Sequence, residues 1–251
     1  MKIEKIGEGE PEYAVVACVH GDEKSGWEAI QKLKKAEYQI KKPLKLVMAN
    51  EKAFEKDQRF VDVDMNRVFP GDTESDRYEE RIAAQLLEEV GDLKIIDLHS
   101  TASEDAPFAI VEYPSETQLE MLRSLDLENV ADMTHLGAKN PELEFVAVEV
   151  SEKSEDPGED AFDILRNFLA AEGVIEAEYS KSQPEIFEVY ETEEGAGFEF
   201  TAQNFRKVAE GEVFARKEGE KKVAKEDFYP VLMSTTGYED MIGFKAEKKE
   251  T

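Results

Sequence analysis

Residues 13–19, YAVVACV, are an apolar run that scarcely alternates and leads straight into a histidine. A strand with one wet face alternates apolar and polar residues. A run this short and unbroken reads instead as a strand covered on both sides, as in the open sheets of α/β proteins. LKIIDLHS (93–100), PFAIVEY (107–113) and EFVAVEVS (144–151) read the same way, and PLKLVMAN (43–50) supplies a further strand. Helical stretches separate them. GDEKSGWEAIQKLKKAEY reads as a turn and an amphipathic helix with Trp27, Ile30 and Leu33 on one face. Ser75 or Asp76 is placed to cap a helix running to about Val90, with Ile82, Leu86 and Val90 on its apolar side. Residues 115–125 and about 159–172 look helical, the latter closed by Gly173. Strands alternating with helices predict an α/β fold, a sheet flanked by helices. Residues 51–75 are left as a long polar connection, and such a loop in a compact domain is usually functional.

From about residue 183 the pattern changes. PEIFEVYET, GFEFTA, EGEVFARKEG, KKVAKE and FYPVLMST are short strand-like runs between glycines and charged turns. They predict a small, mainly β C-terminal domain over residues 181–251, following a catalytic domain over 1–180.

Two of the three histidines end apolar runs, His20 and His99. The carboxyl ends of strands are where open α/β sheets build their sites. His20 opens the segment HGDE, so Glu23 follows it by three residues and Gly21 permits the turn between them. His20, Glu23 and His99 together supply two imidazoles and a carboxylate, a donor set that suits catalytic zinc with one position left open. Asp97, two residues before His99, points the same way along its strand and could orient that ligand. His135 in ADMTHLGAKN follows no predicted strand end and is expected to be dispensable for metal.

Within the long connection, DMNRVFPG (64–71) sets Asn66 beside Arg67. An amide and a planar guanidinium side by side suit a carboxylate, which they can grip by charge-assisted hydrogen bonds. Arg59 lies upstream, within reach of a carbonyl at the metal, and Asp64 could hold either arginine. Glu149 is a lone carboxylate in the apolar strand FVAVEVS, costly there unless paired or at work. Near a metal it could take a proton from water and pass it to a leaving amine.

The chain carries 58 acidic against 31 basic residues, a net charge of −27, which argues against nucleic acid and anionic membranes as partners. No apolar run approaches the roughly 20 residues of a membrane span, and the N-terminus lacks a signal-like apolar core, so a cytoplasmic location is expected. The single cysteine, Cys18, reads as a small buried hydrophobe. With only eight arginines, capture of an anionic substrate falls to a few local cations.

HGDE, then DMNR, then DLHST, then a glutamate on a later strand, in this order and spacing, resemble the aspartoacylase and succinylglutamate desuccinylase family, a branch of the zinc carboxypeptidase-like fold, which implies a mixed sheet flanked by helices. AEGEVFARKEG and FYPVLMSTTGYEDMIGF resemble the β domain that aspartoacylase places over its active site. The resemblance implies one zinc per chain on His20, Glu23 and His99, and Glu149 as the catalytic glutamate. It further implies Asn66 and Arg67 as the substrate-carboxylate pair, Arg59 as the group polarising the scissile carbonyl, and Tyr238 reaching in from the β domain. The chain departs from the family at Ser151, where glycine is common, and in the STTG before Tyr238, which lacks a glutamate. A second substrate-binding arginine is not evident, and Lys139 is the candidate in its place.

The expectation is a zinc amidohydrolase acting on a small anionic N-acyl amino acid, with a homodimer left open. A metallocarboxypeptidase or peptidoglycan amidase is the alternative enzyme. A zinc-binding interaction protein with a degenerate site is the alternative outside catalysis.

Overall fold

The computed structural model describes residues 1–102, 106–136, 145–236 and 240–249. The order is β1 (Lys2–Ile6), β2 (Tyr13–Ala17), α1 (Ser25–Lys35), β3 (Leu44–Met48), α2 (Glu51–Lys56), α3 (Tyr78–Val90), β4 (Lys94–Thr101), β5 (Phe108–Val111), α4 (Glu116–Leu125), β6 (Asn129–Asp132), β7 (Phe145–Ser151) and α5 (Pro157–Ala171). Then come β8 (Glu185–Glu194), β9 (Glu199–Phe200), β10 (Val213–Lys217), β11 (Glu220–Val223), β12 (Tyr229–Val231) and β13 (Met241–Lys248). Ten strands form one mixed sheet in the order β1-β3-β2-β4-β7-β5-β6-β8-β13-β12, and β11-β10-β9 form a small antiparallel sheet.

Why β2 does not alternate is clear from its two sides. Tyr13, Val15 and Ala17 pack with α1, α4 and α5, whereas Ala14 and Val16 pack with α3 on the opposite face. Helices cover both faces, so every position is apolar. Ile30 and Leu33 of α1 are buried, each worth roughly 1.5–3 kcal/mol of transfer free energy. A Cβ on Gly26 would lie 2.6 Å from the Leu98 Cβ, so glycine lets the first turn of α1 press against β4 beside His99.

The sheet order also locates the site. β2 pairs in parallel with β3 on one side and β4 on the other. The chain leaves β2 toward β3, then crosses back to β4, so a topological switch point lies between β2 and β4. Ligands of open sheets bind outside the carboxyl ends of strands at such a point. His20 and His99 are found there.

Sequence position 181 falls in the connection between α5 and β8. Beyond it, β8, β12 and β13 extend the main sheet, and Phe187, Val189 and Val231 share a core with Phe108 of β5 and Ala131 of β6. Phe214, Phe228, Met233 and Ile242 form a separate core under the small sheet. Among the described residues no helix is long and apolar enough to cross a membrane.

Candidate metal centre and its surroundings

His20 stands three residues past the end of β2. Cys18, just before it, has φ 58°, the left-handed region that is uncommon outside glycine. The turn then closes through the Glu23 N–H donating to the His20 carbonyl at 3.3 Å. Gly21 is required here by space and not by a positive φ, because a Cβ would lie 2.1 Å from the Ala53 carbonyl carbon of α2. The turn returns Glu23 beneath His20, and His99 approaches from β4.

Both imidazoles address the same carboxylate. His20 Nδ1 lies 2.7 Å from Glu23 Oε1 and His99 Nδ1 lies 2.8 Å from Glu23 Oε2. The three side chains are buried, and their candidate ligand atoms all lie within 4.8 Å of one another. Each outer nitrogen meets an aspartate: His20 Nε2 is 3.1 Å from Asp64 Oδ1, and His99 Nε2 is 2.8 Å from Asp97 Oδ2. Against their burial, Asp64 and Glu23 raise His20, and Asp97 and Glu23 raise His99, so without a metal both nitrogens of each ring donate. A cation that displaces the Nδ1 protons would find two imidazoles already oriented by their Nε2–H bonds to the aspartates. Burial alone would raise the Glu23 carboxyl, but the two imidazoles outweigh it and hold it far below the usual carboxylate range. The site thus keeps an anionic oxygen between two nitrogens, and this donor set fits zinc.

Glu149 sits opposite His99 in the parallel pair of β4 and β7. It is partly buried, and that burial pushes its carboxyl up to about 7, against a lowering by His99 and reinforced by Glu23. Arg59 is half exposed. Its Nη1 donates to Glu23 Oε1 at 3.1 Å and its Nε lies 3.5 Å from Asp64 Oδ2. Asn66 and Arg67 occupy a single 3-10 turn, Met65–Arg67, and are exposed. The Asp64 carboxylate takes the Asn66 N–H at 2.9 Å with the same oxygen that faces His20. Asp64 therefore ties the turn carrying Asn66 and Arg67 to the three-donor cluster.

Tyr238 and Lys139 lie outside the described residues. His135 does follow a strand end, contrary to the sequence reading, since β6 closes at Asp132 just before it. It is exposed and pairs with Glu188, away from the three-donor cluster.

Three features escaped the sequence reading. Glu79, fully buried in the first turn of α3, accepts hydrogen bonds from Asn50 and from the backbone of residues 61–63. Ser25 and Ser100 share a hydrogen bond at 2.7 Å, joining α1 to β4 beside His99. A cavity of about 290 Å³ opens between Ala102, Lys153, Phe200, Met233 and Thr236. It continues the strand ends of the site, because Ala102 lies three residues past His99 and Lys153 four past Glu149.

Comparison with known proteins agrees with this geometry. Residues 10–164 match the model of the succinylglutamate desuccinylase/aspartoacylase catalytic domain. No curated protein sequence matches the chain. Among solved structures, a succinylglutamate desuccinylase from a Silicibacter species superposes with a TM-score of 0.76 at 19% identity, covering 98% of this chain and 88% of that one. The product-bound ectoine utilisation protein EutE (DoeB) from Ruegeria pomeroyi gives 0.74 at 20%, covering 98% and 87%. Murine aminoacylase 3 gives 0.73 at 18%, covering 96% and 97%. The matched segment spans more than half of the sequence and holds His20, His99, Glu23, the DMNR motif and Glu149; the chain belongs to the succinylglutamate desuccinylase/aspartoacylase family of hydrolases.

Proposed function

We propose that the protein is a zinc-dependent amidohydrolase that removes the acyl group from an N-acyl acidic amino acid, with one zinc held by His20, Glu23 and His99. The observation that carries this reading is the placement of Glu149, with its carboxyl near 7, directly across from His99 at the three-donor cluster. A cluster built only for structure would take a fourth protein ligand and has no use for a base.

Zinc so held supplies a Lewis acid for the scissile carbonyl and lowers the pKa of water. The remaining work belongs to the chain. Glu149 takes a proton from the attacking water and returns it to the leaving amine, for which a carboxyl titrating near 7 is well matched. Arg59, half exposed and steadied by Glu23 and Asp64, offers guanidinium donors to the carbonyl oxygen as negative charge builds there. Asn66 and Arg67 grip the α-carboxylate. The family resemblance gives Tyr238 the role of a further substrate contact. Lys153, in the adjoining cavity, offers an ammonium to a second anionic group of the substrate. The substrate is a small anion, and neither nucleic acid nor membrane is a partner of a chain with net charge −27.

The test is amine release from N-acetyl-aspartate, N-acetyl-glutamate, N-succinyl-glutamate and a dipeptide, with zinc content measured on the same preparation. Release from an N-acyl acidic amino acid, lost on chelation and restored by zinc, supports the reading. Turnover confined to the dipeptide replaces it with a carboxypeptidase.

A further inference from the structure

The segment from Arg59 to Asp64 has no helix or strand to hold it, yet it delivers two side chains to the metal centre. Its ends are docked on the HGDE turn. The Arg59 carbonyl accepts the Gly21 N–H at 3.1 Å, and Asp64 faces His20. Its middle is fastened by one residue. Glu79 Oε1 accepts from the Val61 N–H at 2.6 Å and from Asn50 Nδ2 at 3.0 Å. Glu79 Oε2 accepts from the N–H groups of Asp62 at 2.9 Å and Val63 at 3.2 Å. The link is reciprocal, since Asp62 Oδ2 accepts the Tyr78 N–H at 2.7 Å at the start of α3. Asn50 anchors the other side: it ends the β3 segment, is fully buried, and caps α2 by accepting from Ala53.

A fully buried carboxylate is expensive unless its lone pairs are satisfied. Here four donors converge on two oxygens, and the backbone and Asn50 donors together hold the carboxyl below its usual value despite burial. An ionised carboxylate is acceptor-only at both oxygens, and two donors on each leave no place for a carboxyl proton. That is more than anchoring a surface loop needs, and the loop it anchors carries Arg59 and Asp64.

We propose that Glu79 is a positioning residue for the reaction: by clamping the backbone of residues 61–63 it aims Arg59 at the reacting carbonyl and holds Asp64 against His20. The arm through Arg59 rests on the amidohydrolase reading; the arm through Asp64 needs only that His20 binds metal.

The experiment compares Glu79→Gln and Glu79→Asp with wild type, each alone and combined with Arg59→Ala. Glutamine turns an amide NH₂ toward two donors, and aspartate keeps the charge but falls short by one methylene. Three readouts are taken on each: Tm, zinc affinity by chelator competition, and kcat and KM. The expected result is a fall in kcat and in zinc affinity of about ten- to a hundredfold each, the usual cost of losing a group that orients a ligand. The kinetic loss should largely vanish in the Arg59→Ala background, because the two residues act through one contact. Equal losses with and without Arg59, or unchanged kcat and zinc affinity in a folded variant, overturn the proposal. If Glu79→Gln does not fold, Glu79→Asp decides by the same criteria. If wild type cleaves no amide, the amidohydrolase reading fails by itself, and zinc affinity still decides whether Glu79 positions Asp64.

Discussion

His99 and Glu149 are cross-strand partners in the parallel pair of β4 and β7, so an imidazole of the three-donor cluster and a carboxyl near neutrality face the same space from adjacent strands. The pairing is backbone-determined and does not depend on a loop.

A base placed this way makes the rate depend on pH with a definite sign. Glu149 must be ionised to accept a proton, so kcat/KM should be full above its pKa and fall tenfold per unit below it. The midpoint should lie at or below about 7, because a bound cation lowers a carboxyl already at about 7 in its absence. Glu149→Gln should keep its zinc and lose at least about a hundredfold in kcat. Near wild-type turnover on a verified substrate would remove Glu149 from the mechanism.

Metal retention should separate the three histidines. His20→Ala and His99→Ala should lose most bound zinc while the far-UV spectrum stays native, and His135→Ala should lose none. Asp97→Ala should weaken zinc by about ten- to a hundredfold, since it leaves the His99 Nε2 without its carboxylate. Metal content and chelator competition read all four. Full occupancy in His99→Ala would end the ligand assignment.

Substrate charge tests the two cationic positions independently. Arg67→Lys should cut kcat/KM for an N-acyl aspartate more than for its α-amide, because an ammonium cannot reproduce the guanidinium fork. Lys153→Met should instead narrow the preference for N-acetyl-aspartate over N-acetyl-alanine. Moderate salt should help both substrates' capture by muting repulsion from the −27 surface, as the Debye length is about 8 Å at physiological ionic strength. A wild type indifferent to the α-carboxylate would discard the role of Arg67.

The lone thiol should be silent. Cys18 is buried and its thiol is pushed up to about 12 by that burial and by Glu23 and Asp97. On the order of one in ten thousand molecules is then thiolate at pH 8. A thiol reagent should label one group per chain in denaturant and almost none in the native protein. Rapid native labelling would mean that the turn carrying His20 opens readily.

What could be read from the sequence was what its local pattern determines. The buried strands ending in His20 and His99 are continuous apolar runs because both faces are covered. The helix over 115–125 is likewise local, and the structure closes its start with a capping box of Ser115 and Gln118. What escaped depends on partners far along the chain. β1 was missed because KIEKI is a largely exposed edge strand whose charges mask any pattern. α2 was missed because its six residues are stabilised by the Asn50 cap and by contact with Gly21. The start of α3 was expected at Ser75 or Asp76. It begins at Tyr78 instead, because the carboxylate that takes its first N–H belongs to Asp62. In the site, Asp97 could be guessed because it shares a strand with its histidine. The hold of Asp64 on His20 across 44 residues could not.

The switch point between β2 and β4 also has a kinetic meaning. Glu23 and His99 are 76 residues apart, and they meet only after the chain has laid β3 on one side of β2 and returned to lay β4 on the other. Contacts of such long range form late, after the loop-closure entropy has been met. An unfolded chain therefore offers no ready-made site, and the three donors converge only in the finished sheet. A metal held by these donors would add its binding free energy to the native state by mass action, and its uptake should time the completion of the parallel core during refolding.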